Sequence, residues 1–492
     1  MNRSRLSAFA VAAGLAAALG ATGQIRPPAP PPAPETAEIQ AAERIADPAG
    51  RLRELLRIKT AYPGSAQAGR IDGDILETRI DLAPTVQAVI DLQKGPLGQS
   101  RGPDLLSGFA RAAARILDHA GLAGFDRGQV LAAVVRYKVM AERAAAEPGT
   151  FAATVDPGER AALASAALRD FDLLIGRAMA NAGEGAKAVA SLQTYRAGGG
   201  EAGPDYFCAL GDAYTALGRA EEAYGLYLGA AVERYPGAGD KARAAYLKLH
   251  GTAAGFEDRL EALFAALPFQ PEPFAAPKRW RGKTVLAEVF TNADNPLCLA
   301  SDLAVGGLIQ TYPARYLAIL CYHVPAPRPD PLTNEAAHKR QEQYRSAGGV
   351  PAVIIDGEMR IAGGGTRRMA EGLFKRYKAA IDSRISGEPG LKLTAEAKWT
   401  GDRIEVETGH DHDFPQAAHT VALVQERESL KGGSGVVVHK LVVRGLVDVD
   451  PAGNGKAAFK PSGIARGGLQ VVYFVQDKAS RRILNSVVAD VK

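Results

Sequence analysis

Thr284-Val285-Leu286-Ala287-Glu288-Val289-Phe290, followed by Thr291-Asn292-Ala293-Asp294-Asn295-Pro296-Leu297-Cys298, decides how this chain is read. The first run is apolar apart from one glutamate, the pattern of an interior strand. The loop from Thr291 to Pro296 carries the Asn, Asp and Pro that interrupt regular structure, and Asn295-Pro296 places a cap and a first-turn proline before a helix over Leu297 to Tyr312. Beyond it the pattern predicts a strand from Tyr316 to Tyr322, a long loop and a helix from Asn334 to Ala347. Val350-Pro351 then leads into a strand from Ala352 to Ile355, an Asp356-Gly357 hairpin turn, a strand from Glu358 to Ala362, and a helix from Thr366 to Ile385. Gly363-Gly364-Gly365 lacks the lysine and hydroxyl spacing of a phosphate loop.

This order resembles the thioredoxin fold. Glu288-Val289-Phe290-Thr291 leading to Cys298 and Asp302, then Tyr322-His323 followed by Pro329-Asp330-Pro331-Leu332-Thr333-Asn334, resembles envelope proteins of the Omp28-like and DUF1223-like kind over Thr284 to Ile385. The resemblance implies that Pro351, preceded by Val350, is a cis-proline facing the active thiols. It also implies that the attacking cysteine of a Cys-x-x-Cys motif falls at Asn295. The motif here reads Asn295-Pro296-Leu297-Cys298, retaining the resolving position and lacking the attacking one. The attacking thiol owes its reactivity to the helix N-terminus, where free amides and the helix dipole favour thiolate; asparagine caps there but cannot attack.

A competing register takes Cys298-Leu299-Ala300-Ser301 as a monothiol motif able to form mixed disulfides. Cys321, in the second strand, is either a packed thiol or a partner for Cys298. His323 either anchors its proline-rich loop or orients a substrate. No cofactor motif is present.

Upstream, residues 271–277 hold the prolines of a linker, and from Arg51 to Phe264 apolar residues recur every three or four positions, as in helices. Phe207, Leu210, Gly211, Tyr214, Ala223, Tyr227, Ala230 and Pro236 resemble the tetratricopeptide repeat, with Ile175, Gly176, Met179, Ala188 and Leu192 as a fainter copy. Gly211 and Ala223 are placed where paired helices approach most closely. Ile71 to Gly102 reads as a less regular stretch. Such solenoids hold peptides on a concave face, which makes a protein or peptide the expected partner.

Downstream of Gly387, short alternating segments predict an all-β sandwich over 387–492. His410-Asp411-His412-Asp413, with His419 or His439 beyond, carries metal-type donors, but a solvated loop before Pro415 accounts for it and no metal site is assigned.

The 492 residues, 23% charged with a formal net charge of +5, exclude wholesale disorder and lack a nucleic-acid footprint. Arg3 and Arg5, the apolar Leu6 to Leu19 and small residues near Ala21 form a secretory leader, too short for the roughly 20 residues of a stable membrane span. The expected organisation is multidomain: signal peptide 1–23, proline-rich linker 24–50, helical region 51–150, all-α tetratricopeptide-like solenoid 151–270, α/β thioredoxin-like domain 280–386 and β-sandwich 387–492. The expected role is an exported, non-catalytic binding or assembly protein of a bacterial periplasm or envelope. The alternatives are thiol-disulfide exchange through Cys298 and a purely structural role.

Overall fold

The computed structural model describes residues 34–92, 103–118, 124–147, 149–151, 155–325, 329–344, 349–450 and 455–492. The leader expected at 1–23 and the prolines at 27–33 lie outside them. The chain divides into two compact units, Met1–Gly200 and Glu201–Lys492. That boundary differs from the expected ones, because it falls inside the repeat region, after the Gly198-Gly199-Gly200 break.

The first unit is all helical: α1 (Pro34–Glu43), α2 (Pro48–Ala61), α3 (Ala68–Leu82), α4 (Val86–Leu92), α5 (Pro103–Leu117), α6 (Arg127–Ala146), α7 (Pro157–Asn181) and α8 (Gly185–Ala197). Asp47, Asp126 and Asp156 each cap a helix by accepting backbone amides. Two expectations are corrected here. Residues 34–50 are not linker, since α1 buries Ile39 and Ala42 against α2. The 71–102 stretch is regular as far as described, because α3 packs on α5 with Gly73 facing Gly108 so closely that a Cβ on either would come within 3 Å of the other's backbone. Phe109, Tyr137 and Phe171 fill the core below.

The second unit opens with α9 (Pro204–Ala216), α10 (Ala220–Val232), α11 (Ala238–His250) and α12 (Phe256–Ala265). Helices α9 and α10 form a hairpin on the same plan as α7 and α8 in the first unit. A Cβ at Gly211 would stand 2.7 Å from the Tyr227 ring, and one at Gly176 would stand 2.7 Å from Leu192, in each case sixteen residues on. Close approach at a bare backbone is what the repeated glycine provides.

Strands β1 (Val285–Thr291), β2 (Leu317–His323), β3 (Ala352–Ile355) and β4 (Met359–Ala362) follow, with α13 (Cys298–Thr311), α14 (Glu335–Gln343) and α15 (Ala370–Ile385) between and after them. Strand β1 runs parallel to β2 and antiparallel to β3. All residues of β1 and β2 are buried, as strands covered on both faces must be. Val289, Ile319 and Cys321 pack with α13 and α15, while Phe290, Leu320 and Tyr322 point to the core shared with α14. Asp356 and Gly357 both take positive φ in the β3–β4 turn.

The C-terminal strands are β5 (Leu393–Thr400), β6 (Arg403–His410), β7 (Ala417–Ser429), β8 (Val438–Val449), β9 (Gly455–Phe459), β10 (Leu469–Asp477) and β11 (Ile483–Asp490). They do not form a self-contained sandwich. Four of them extend the first sheet into one of eight strands, ordered β11-β10-β7-β8-β2-β1-β3-β4, and β5-β6-β9 make a second sheet. The free edge of β2 is the physical reason. Val442 of β8 pairs with Cys321, and the Asn334 side chain donates to the Val443 carbonyl at 2.7 Å. A two-layer core does exist, where Ile404, Val406 and Phe459 of the smaller sheet meet Val421, Leu423 and Tyr473 of the larger.

Candidate functional site

The loop from the end of β1 to α13 is tied on three sides. Asn292 Nδ2 donates to the Val324 carbonyl at 2.8 Å, and the Ala293 amide donates to Asp330 Oδ2 at 2.6 Å. From the β7–β8 connection, the Gly433 amide donates to Asp294 Oδ1 at 2.8 Å and the Ser434 amide to the Ala293 carbonyl at 2.9 Å. On the third side the Gly365 amide donates to the Leu297 carbonyl at 2.8 Å. The Val350–Pro351 peptide is cis, and a Cβ at Gly364 would collide with both the Leu297 carbonyl and the Pro351 ring. Leu297 and Pro351 therefore both lie against Gly364.

Asn295 is 5% exposed, and its Oδ1 accepts the Leu297 amide at 3.1 Å. Its carbonyl accepts the Cys298 amide at 2.9 Å, so tight turns with Pro296 at their second position lead into α13. Regular helix starts at Cys298 rather than Leu297. That start does not present the thiol. Cys298 is 0% exposed, while Leu297, beside it, is 58% exposed. Burial, with the nearby Asp302 carboxyl, pushes the Cys298 thiol up to about 12, against weaker opposing contacts from the Thr291 hydroxyl and the Asn292 amide. A thiol in that condition carries almost no thiolate at neutral pH.

Cys321 is also buried, and burial raises its thiol. All three cysteines are free, so no bridge joins Cys298 to Cys321. His323 Nδ1 bonds Asp330 Oδ2 at 2.8 Å. Asp330 also accepts the Leu332 amide at 2.8 Å, which makes this pair the clasp of the loop after β2. Burial alone would raise the Asp330 carboxyl, but His323 and the two amides hold it below the usual carboxylate range. The His439 ring stands edge-on to His323, and its Nε2 bonds the Leu430 carbonyl at 3.2 Å. Burial and the adjacent His323 push His439 down to about 4, leaving it neutral.

Thr291 Oγ1 donates to Asp302 Oδ1 at 2.8 Å, but Asp302 Oδ2 is sealed from solvent with no hydrogen-bond partner among the described residues. Desolvation raises the Asp302 carboxyl to about 7. On the opposite face of β1, Glu288 and Arg340 form a buried two-pronged pair at 2.5 and 2.8 Å, with Tyr344 donating to Glu288 at 2.7 Å and Arg340 donating to Gln476 at 2.8 Å. Sequence reasoning missed this pair. Its only signal was a lone glutamate in an apolar strand, and the arginine lies 52 residues on.

Elsewhere in the second unit a cleft of about 410 Å³ is lined by Leu228, Val232, Glu233, Leu263, Arg367 and Glu371. Arg367 donates to the carbonyls of Leu263, Phe264 and Ala266, closing the C-terminus of α12. His410 Nε2 lies 3.3 Å from Asp413, and His412 bonds Asp411. Among the described residues no three His, Cys, Asp or Glu are placed to hold a metal ion, and no helix is long and apolar enough to cross a membrane.

No family model matches the chain, and no curated protein matches it. Among solved structures it is similar to a thermophilic TPR protein of Thermus thermophilus, at 16% identity and a TM-score of 0.27, over 47% of this chain and all of that one.

Proposed function

We propose that this is an exported binding or assembly protein, built from tetratricopeptide-like helical hairpins and a thioredoxin-like domain with a degenerate Asn-x-x-Cys loop. The observation that carries the reading is the burial of Cys298 beneath that loop with its thiol pushed to about 12. Support for the thioredoxin-like assignment comes from the order of β1, α13, β2, α14, β3, β4 and α15 and from Pro351 and Leu297 both lying against Gly364. The position of the attacking sulfur is filled by the buried Asn295, and the side chain exposed beside it is Leu297. An exposed apolar residue at that place suits contact with a protein partner better than electron transfer. The tetratricopeptide-like hairpins, α7–α8 in the first unit and α9–α10 in the second, each favour the same partner class, since repeats of this kind serve to bind peptides.

The test is disulfide reduction by the full chain, with a small dithiol as reductant. The native protein is expected to show no turnover above the dithiol alone. Turnover by the native chain that disappears in Cys298→Ser would replace the binding reading with thiol exchange.

A further inference from the structure

The Asp302 carboxyl is the one feature beneath the loop that the binding reading does not use. It sits on α13 four residues after Cys298 and bonds Thr291, so it lies between the two ends of the 292–298 loop. Its surroundings are accounted for element by element. Thr291 of β1 bonds Oδ1 at 2.8 Å. Cys298 lies on its own helix, Cys321 and His323 on β2, Asp330 on the following loop and Tyr377 on α15, all within electrostatic reach. His439 of β8 lies beyond, against His323.

None of these can neutralise an ionised Asp302 at close range. His323 is committed to Asp330 at 2.8 Å, His439 is neutral, and Tyr377 is engaged with Ser301 at 3.0 Å. An ionised carboxylate needs several donors, and a buried charge without them draws in water or opens its surroundings. The ways out are unequal. Strands β1 and β2 and helix α15 belong to the main apolar core, and displacing them means unfolding the unit. The 292–298 loop is held on its outer side by hydrogen bonds from three neighbouring segments rather than by the main apolar core, so it can open locally.

We propose that Asp302 is a proton-operated latch for the 292–298 loop: uncharged, it lets the loop close over Cys298, and ionised, its unpartnered oxygen admits water and releases the loop. The latch stands on this geometry whether or not the loop meets a partner.

The closed state binds the proton more tightly than an open state with an ordinary carboxyl, so opening becomes more favourable as pH rises. The increase is up to about tenfold per pH unit between the two states' pKa values, and levels off above the closed-state value. The measurement is hydrogen–deuterium exchange of the full chain, with the intrinsic chemical rate divided out at each pH. The peptide spanning 292–303 is expected to lose protection by about tenfold per unit from pH 5 to pH 7 and then plateau, while β10 keeps its protection. Asp302→Asn is expected to abolish the slope. Because His439 titrates in the opposite sense, the difference between parent and Asp302→Asn isolates the latch. Thr291→Val, which removes a donor favouring the ionised form, is expected to move the plateau to higher pH. A flat profile in the parent chain would overturn the proposal, as would the same slope surviving in Asp302→Asn. If Asp302→Asn does not fold, an unmoved plateau in Thr291→Val overturns it.

Discussion

Moving a thiol by one residue, from position 298 to position 297, should change its chemistry by three orders of magnitude. Cys298 is fully buried with its thiol near 12, against an ordinary 9.0. Three pKa units correspond to about a thousandfold less thiolate at any pH well below both values. Leu297 is 58% exposed at the mouth of α13, so Leu297→Cys places sulfur in water at the positive end of the helix dipole, where thiolate is favoured. The assay is reaction with an aromatic disulfide reagent at pH 5.5, where Asp302 is uncharged and the loop is closed. The parent chain should show no fast phase, Leu297→Cys one equivalent at least about a thousandfold faster than Cys298, and the unfolded parent all three thiols. Cys208 and Cys321 are buried and should stay silent in the native state. A fast equivalent in the native parent chain that vanishes in Cys298→Ser would show that the thiol is presented to solvent, and the physical argument against exchange would fail.

Two further outcomes follow from packing. Arg340→Leu leaves the Glu288 carboxylate buried with only Tyr344 donating to it, which should destabilise the second unit by about 3–5 kcal/mol; replacing both partners by leucine should recover most of that loss. Denaturant unfolding followed by the fluorescence of Trp280 and Trp399 measures it, and a single-variant loss below about 1 kcal/mol would mean the pair is solvated. Gly211→Ala drives a methyl to 2.7 Å from the Tyr227 ring, whose hydroxyl meets Thr215 and Asp212. A cost of about 1–3 kcal/mol is expected in thermal unfolding, and an unchanged midpoint would show that α9 and α10 separate freely.

Much of the local structure was legible in the residues. The apolar run Val285 to Phe290, the Asp356-Gly357 turn and the capping Asn334 each specify their element through backbone preference alone, and β1, the β3–β4 hairpin and α14 form there. The glycine-and-aromatic signature at Gly211 and Tyr227 likewise states its own reason, a close helix approach. The boundaries were less legible. Helices α1, α3 and α4 cover much of 34–50 and 71–92, where α1 and α3 are held by what they pack against, and proline or glycine at their ends concealed that.

At the site, sequence determined which groups are available: an asparagine in place of one sulfur, a second sulfur three residues on, a histidine ending β2 and an aspartate in the loop after it. Only the tertiary structure decided their states. The state of the Cys298 thiol depends on Thr291 of β1 and on Asp302 and Asp330, which come from three separate segments. Whether Asp302 can hold a charge depends on His323 being already claimed by Asp330. The eight-stranded sheet has the same origin, since β8 joins β2 from more than a hundred residues away. Local pattern sets backbone conformation through sterics between neighbours in the chain. Burial, hydrogen-bond supply and local dielectric are set by neighbours in space, and those are what fix whether a thiol or a carboxyl is reactive.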